Sequence, residues 1–220
     1  MASVILLAGG KGTRFKSPTP KQFLPLKEKI IALYSFDLFK SSPQIDEIIV
    51  VCDLPYQHFF SGPAIFAPPG ATRQLSVFSG LLKSRSEMIL VHDSARPLFE
   101  MQYLPPLLEA AERTGAAALG TAVTSTIKHV SSNHIVEKTL DRTHLWEIQT
   151  PQAIKRDLFF KAFEHMHAHN LEATDDISMI EMLNLPSEIV PCTPRNLKIT
   201  TPFDLILAET LLSKDLCATN

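Results

Sequence analysis

Cysteine is scarce in this chain. Cys52, Cys192 and Cys217 are odd in number and none has a Cys-x-x-Cys neighbour. That excludes a disulfide framework and a thiolate zinc site, and it fits a reducing compartment. Long apolar runs are missing too: no segment approaches the roughly 18 unbroken apolar residues of a membrane span. Val4–Leu7 is too short to serve as a secretory signal before glycine interrupts it. The expected location is therefore the cytoplasm. Excess charge of either sign is absent, with 21 Lys and Arg against 23 Asp and Glu. A general nucleic-acid surface would show a basic surplus, so no nucleic-acid partner is expected, and no membrane partner either. No internal repeat, low-complexity tract or linker divides the sequence, and one domain over residues 1–220 is expected. No Ser-His-Asp or Cys-His arrangement stands out.

What is present begins with Val4-Ile5-Leu6-Leu7, an apolar run with β-branched residues of the kind that forms a strand buried on both faces. It opens into Gly9, Gly10 and Gly12, with Lys11, Arg14 and Lys21 spaced through the following loop. Consecutive backbone N–H groups in such a loop form a concavity for anions, so a polyphosphate would sit well there. Two widespread glycine motifs do not fit. A P-loop requires Gly-Lys-Ser/Thr, whereas Lys11 precedes Gly12 here. The dinucleotide fingerprint requires a third glycine where Phe15 stands. A tight strand-to-helix turn with solvated cations would use the same residues.

Along the chain, apolar periodicity predicts helices at 31–40, 72–84, 101–113, 153–170, 174–183 and 202–214. It predicts strands at 46–51, 64–67, 88–91, 116–123 and 188–190. Strands and helices in alternation imply an α/β fold with a mainly parallel, Rossmann-like sheet covered by helices on both faces. Ligands of such sheets gather at the carboxyl ends of the strands. Between residues 124 and 143 the pattern changes to two alternating runs, Thr126–Val130 and His134–Lys138, around a three-residue turn. This hairpin is too short to hold a core of its own and is expected to protrude as an arm that packs on something else.

Several ordered segments carry a resemblance. Leu7-Ala8-Gly9-Gly10-x-Gly-x-Arg14 with Pro20-Lys21-Gln22 resembles the signature of nucleotidyltransferases that join a nucleoside monophosphate to a phosphorylated sugar or polyol. His92-Asp93-Ser94-Ala95-Arg96-Pro97, Asp141-Arg142 with Leu145-Trp146, and Asn196-Leu197-Lys198-Ile199-Thr200 narrow it to the 2-C-methyl-D-erythritol 4-phosphate cytidylyltransferase family. The resemblance implies that Ala8, Gly9, Gly10, Gly70 and Ser76 contact the nucleotide. It implies that Arg14, Lys21 and Lys198 supply positive charge to the reacting phosphates as the catalytic groups. Asp93, Arg96, Thr126, Arg142 and Thr150 would bind the polyol phosphate, and Asp93 would also hold Mg²⁺, a hard cation suited to carboxylate oxygen. Arg73 is assigned a supporting place rather than direct contact. Thr126 and Arg142 would lie on the arm and complete the pocket of a neighbouring subunit, making a homodimer. Two departures stand out, Ala71 and Ser125, each where the family usually carries an acid.

Other polar clusters have plainer explanations. Thr174-Asp175-Asp176 before a helical run reads as an N-cap with acids at the positive helix end, although it also resembles a family segment. His165, His167 and His169 read as a polar helix end rather than a metal site, since no third ligand is placed to complete one.

The implied activity is condensation of CTP with 2-C-methyl-D-erythritol 4-phosphate, giving the cytidine diphosphate derivative and pyrophosphate in non-mevalonate isoprenoid synthesis. A cytidylyltransferase acting on ribitol 5-phosphate, or a non-catalytic nucleotide-binding regulator, would share parts of the pattern. Intact Arg14, Lys21 and Asp93 argue against the regulator.

Overall fold

The structure, a computed structural model, describes residues 1–10, 12, 15 and 17–218. In chain order the elements are β1 (Ala2–Leu7), β2 (Pro25–Leu26), β3 (Lys29–Ile30), α1 (Ile31–Lys40), β4 (Ile45–Val51), β5 (Ala64–Ala67), α2 (Arg73–Leu81), β6 (Met88–Asp93), α3 (Leu104–Thr114), β7 (Ala116–Ala122), β8 (Lys128–Val130), β9 (Val136–Thr139), β10 (Trp146–Lys155), α4 (Arg156–His169), α5 (Asp176–Glu181), β11 (Glu188–Pro191) and α6 (Pro202–Ala218). Seven strands form one sheet in the order β11-β7-β10-β6-β1-β4-β5. β10 runs antiparallel to both of its neighbours, and every other pairing is parallel. The expected α/β class with a mainly parallel sheet is what forms.

β1 lies inside that sheet, and its alternate residues feed two cores. Val4 and Leu6 join Phe36 and Phe39 of α1 and Leu104 and Leu107 of α3 on one face. Ile5 joins Val77 and Leu81 of α2, Phe159 of α4 and Ile180 of α5 on the other. A period of two with both faces covered explains why the run reads as continuously apolar. Each such fully buried side chain contributes about 1.5–3 kcal/mol. Gly80 lets α2 sit close on this face: a Cβ there would lie 2.6 Å from the Ile5 Cγ2.

β10 departs from expectation. The sequence pattern starts a helix at Ala153, but the strand continues to Lys155 and α4 begins only at Arg156. Ala153 and Ile154 are both fully buried, one in each core. Consecutive residues on opposite faces are the mark of a strand. Gln149-Thr150-Pro151-Gln152 concealed it, because polar residues and a proline are unusual in a central strand. Proline lacks the N–H for a ladder bond, and pairing with β7 accordingly shifts register between Ile148 and Gln152. Smaller differences sit at helix ends. α2 stops at Leu81, and the segment from Met101 opens with a 3₁₀ turn before α3. α5 spans only Asp176–Glu181, with Asp175 as the cap residue expected of the Thr-Asp-Asp run.

The hairpin forms as β8 and β9, antiparallel and separate from the main sheet, with every residue of both strands exposed. Among the described residues, no helix is long and apolar enough to cross a membrane.

Candidate active site

Parallel pairing brings three strand ends together. Leu7 stands opposite both Val51 of β4 and Asp93 of β6. The chain leaving β1 is tied down at once, as the Ala8 N–H donates to the Val51 carbonyl at 2.9 Å. The buried carboxamide of Gln22 then donates from Nε2 to the Ala8 carbonyl at 2.6 Å and to the Gly10 carbonyl at 2.9 Å. One side chain therefore sets the course of the glycine loop. A Cβ on Gly9 would come within 2.4 Å of the Pro69 Cβ, so only glycine fits between the loop and that proline. At Gly10 a Cβ would meet no atom of the described residues within 4 Å. The space beside it is open.

That space is a cavity of about 440 Å³, lined by Gly9, Gly10, Gly12 and Lys21 from the loop, by Gly70–Arg73 and Ser76 at the start of α2, and by Asp93, Ser94 and Lys198. Thr72 caps α2 by accepting from the Leu75 N–H. Ser76 ties the preceding turn: its hydroxyl accepts from the Gly70 N–H at 3.0 Å and donates to the Thr72 carbonyl at 2.9 Å. The amino end of a nine-residue helix thus faces the cavity, with its partial positive charge.

Charge in the cavity is concentrated at the end of β6. The Lys198 Nζ lies 2.5 Å from Asp93 Oδ2, and the Arg73 Nε lies 3.7 Å from Asp93 Oδ1. Burial alone would raise the Asp93 carboxyl, but Lys198 and then Arg73 hold it well below the usual carboxylate range. It stays ionised at any working pH. Arg73 is itself held from behind, where both terminal nitrogens reach the Asp176 carboxylate at 2.8 Å in a two-pronged pair. Burial works against the Arg73 charge, yet Asp176 lifts it above its ordinary value. Asp176 is fixed in turn by Gln152, whose Oε1 accepts from the Asp176 and Ile177 N–H groups at 2.9 Å each. Lys198 is placed by its neighbours: the Ile199 N–H donates to the Ala95 carbonyl at 2.8 Å, and Arg96 donates to the Asn196 carbonyl at 2.7 Å.

The structure thus gathers Gly9, Gly10, Gly70, Ser76, Lys21, Lys198 and Asp93 around one cavity, with Ala8 buried just behind. Arg14 lies outside the described residues. The remaining candidates lie elsewhere. Arg96 closes a turn after β6, its N–H donating to the Asp93 carbonyl at 3.0 Å, and its buried Nε has no hydrogen-bond partner among the described residues. Thr150 is buried beneath Asp93, with its hydroxyl accepting from the Asp93 N–H at 3.0 Å. Thr126 and Arg142 sit exposed at the base of the arm, where Arg142 donates to the Thr124 carbonyl. Ser125 is likewise exposed, and Ala71 lines the cavity.

Sequence reasoning did not single out Gln22, Asp176 or Gln152 as organisers of the site. Gln22 had a signal, its place beside Lys21 in a Pro-Lys-Gln run. Asp176 reads locally as a helix-end acid, and its pairing with Arg73 spans 103 residues. His165 and His169 form a helix-end pair, with the His169 Nδ1 2.9 Å from the His165 carbonyl. No cluster of three or more His, Cys, Asp or Glu that could hold a metal occurs among the described residues.

A family model described as IspD, 2-C-methyl-D-erythritol 4-phosphate cytidylyltransferase, matches residues 2–214. A chloroplastic 2-C-methyl-D-erythritol 4-phosphate cytidylyltransferase of Oryza sativa subsp. japonica is 44% identical over 221 residues, spanning 96% of this chain and 74% of that one. The corresponding protein of Chlamydia pneumoniae is 42% identical over 212 residues, spanning 96% and 99%. Among solved structures, that of the Francisella tularensis 2-C-methyl-D-erythritol 4-phosphate cytidylyltransferase superposes with a TM-score of 0.83 at 31% identity, covering 94% of this chain and 97% of that one. The 4-diphosphocytidyl-2C-methyl-D-erythritol synthase of Anaerococcus prevotii gives 0.86 at 26% identity, covering 96% of each.

Proposed function

The chain belongs to the 2-C-methyl-D-erythritol 4-phosphate cytidylyltransferase family, and from that premise we infer how its strand-end cavity carries out the reaction. The enzyme is a nucleotidyltransferase that condenses CTP with 2-C-methyl-D-erythritol 4-phosphate in isoprenoid synthesis. The observation that carries the assignment to this cavity is Asp93, held ionised between Lys198 and Arg73 in a space it shares with the glycine loop and Lys21.

An oxygen of the acceptor phosphate forms a bond to the α-phosphorus of CTP, and the bond from that phosphorus to the bridging oxygen of the β-phosphate breaks. Pyrophosphate leaves with the electron pair. A phosphate monoester has its second pKa at about 6, so the attacking oxygen is already anionic at neutral pH and no base is required. The barrier is the approach of one anion to another, which positioning and fixed positive charge lower. The loop N–H groups and the amino end of α2 receive the triphosphate. Lys21 and Lys198 stand at the cavity wall to take up charge as it shifts toward pyrophosphate, and Arg14 belongs with them by its motif.

The donor set at Asp93 suits Mg²⁺. It is the one carboxylate among the described residues that line the cavity, and this ion commonly takes one or two carboxylates together with substrate phosphates. Asp93 would hold the ion, which neutralises triphosphate charge when bound. Lys198, now paired with Asp93, would then turn toward the phosphates. Arg96, Thr126 and Arg142 bind the acceptor, with the last two contributed by the arm of a second copy in a homodimer. Two observations support the shared site: neither arm residue lines the cavity of its own chain, and every residue of β8 and β9 is exposed. The free thiols of Cys52 and Cys192 suit a cytoplasmic setting.

Pyrophosphate release from CTP and Mg²⁺ tests the reading, with methylerythritol phosphate, ribitol phosphate or no acceptor in parallel. Release with methylerythritol phosphate alone is expected. Preference for ribitol phosphate would move the enzyme to another acceptor, and no release with either would overturn the reading.

A further inference from the structure

His92 occupies the penultimate position of β6 and is fully buried. Its ring is enclosed by Phe39, with centroids 5.2 Å apart, and by Phe99 at 5.6 Å. Among aromatic neighbours, both ring nitrogens nonetheless have polar partners. The Nδ1 lies 3.2 Å from Thr150 Oγ1, and the Nε2 lies 3.1 Å from Ser35 Oγ and 3.3 Å from the Arg96 carbonyl oxygen.

The surrounding donors decide which nitrogen carries the proton. The Arg96 carbonyl only accepts, and it already receives the Ser35 hydroxyl at 3.0 Å. Ser35 therefore has its oxygen lone pairs free to accept from Nε2–H. A bare Nε2 would oppose its lone pair to a carbonyl oxygen in a buried site, which is unfavourable. On the other side, Thr150 accepts the Asp93 N–H at 3.0 Å and keeps its own proton to give. A bare Nδ1 receives it. Every link then points the same way: Asp93 N–H to Thr150 Oγ1–H to His92 Nδ1, and His92 Nε2–H to Ser35 Oγ–H to the Arg96 carbonyl.

We propose that His92 is a positioning residue for the transfer reaction, closing as its Nε2–H tautomer a one-directional hydrogen-bond chain that sets the spacing between Asp93 and Arg96. The chain begins on the amide of the residue facing the triphosphate and ends on the carbonyl of the residue assigned to the acceptor phosphate. Ser35 and Thr150 come from α1 and β10, so two elements besides β6 brace one four-residue turn. A fixed distance between the two anion-binding groups is what an in-line attack requires, because misplacement of about 1 Å can cost a hundredfold in rate. The inference rests on the acceptor reading of Arg96.

Nitrogen-15 spectra of histidine-labelled wild-type protein test the tautomer directly, with no substrate present. The His92 resonances are identified by their absence from His92→Phe or His92→Gln spectra. The expected result is an unprotonated Nδ1 and a protonated Nε2. A protonated Nδ1 would overturn the chain. Kinetics test its purpose. His92→Phe keeps the ring packing and removes both nitrogens, so kcat should fall about tenfold or more while CTP binding without acceptor stays within about twofold. His92→Gln keeps a donor toward Ser35 and should recover part of that loss. A wild-type kcat in folded His92→Phe, or equal loss of kcat and CTP binding, would reduce His92 to a packing residue. Wild-type protein inactive with methylerythritol phosphate would instead remove the functional reading and leave the tautomer result standing.

Discussion

The cavity at the strand ends and the protruding arm are both polar regions assigned to substrate, yet they are built on opposite terms. In the cavity, charge is paired and backed. Asp93 lies between Lys198 and Arg73, Arg73 rests on Asp176, and Asp176 hangs from Gln152. On the arm, His129 and Glu137 meet at 2.7 Å with about half of each side chain in water, and Lys128 reaches across to Thr139. The first arrangement is a preorganised electrostatic site, since buried charges with satisfied partners keep their geometry without reorganising solvent. In the second, every residue of both strands is exposed. Catalytic charge is positioned by the carboxyl ends of interior strands, whereas on the proposed reading a second copy would define where the arm's side chains point.

Removing charge from the cavity should have the largest consequence. Lys198→Ala or Lys21→Ala is expected to lower kcat by about 100- to 1,000-fold. CTP affinity in a direct binding assay should change far less. An unchanged kcat would take either lysine out of the transition state. The arm offers a complementary experiment. Arg142→Ala and Lys21→Ala should each be nearly inactive alone. When the two are mixed and allowed to exchange subunits, one site of a mixed dimer is intact and activity returns. No recovery would confine Arg142 to its own chain and end the contrast between the regions.

Stability should separate the regions as well. Asp176→Ala leaves Arg73 without its buried partner and should cost about 3 kcal/mol, readable from urea unfolding. His129→Ala on the arm should leave the midpoint where it was, because exposed pairs contribute little. Equal effects would show that the arm is part of the folded core. Acid tests the buried end of β6. Burial holds the His92 imidazole down at about 3, against about 6.5 when unfolded. A depressed histidine contributes stability that is complete above about pH 6.5 and lost as pH falls toward 3, with a slope of at most about 1.4 kcal/mol per pH unit. The melting temperature should therefore drop across that window, and more steeply in wild type than in His92→Phe. The smallest structural effect belongs to Gly10→Ala. Its methyl would meet no atom of the described residues within 4 Å, so Tm should hold while CTP binding weakens.

Most of the fold was legible because its periodicities are strong. β1 reads as a doubly buried strand and is one, and the boundaries predicted for α1 and β5 agree with the structure. β10 was not legible, since Thr150-Pro151 and two glutamines disguise a strand whose burial is imposed by neighbours on both sides. The same holds at the cavity. The glycine loop with Lys21 announced itself through local pattern, Asp93 and Lys198 through the family resemblance, and the structure places them together. Arg73 with Asp176, and His92 with Ser35 and Thr150, did not, because each is a partnership between residues remote in sequence.

By itself, then, the amino-acid order determined the kind of protein this is: alternating strands and helices, a glycine loop after the first strand, and an aspartate at the end of another. Those features follow from local sterics and from side-chain period. Only the tertiary structure decided which carboxylate stays ionised, which arginine is braced rather than free, and which strand completes the sheet. Those outcomes depend on desolvation and on partners dozens of residues away, and neither exists until the chain has folded.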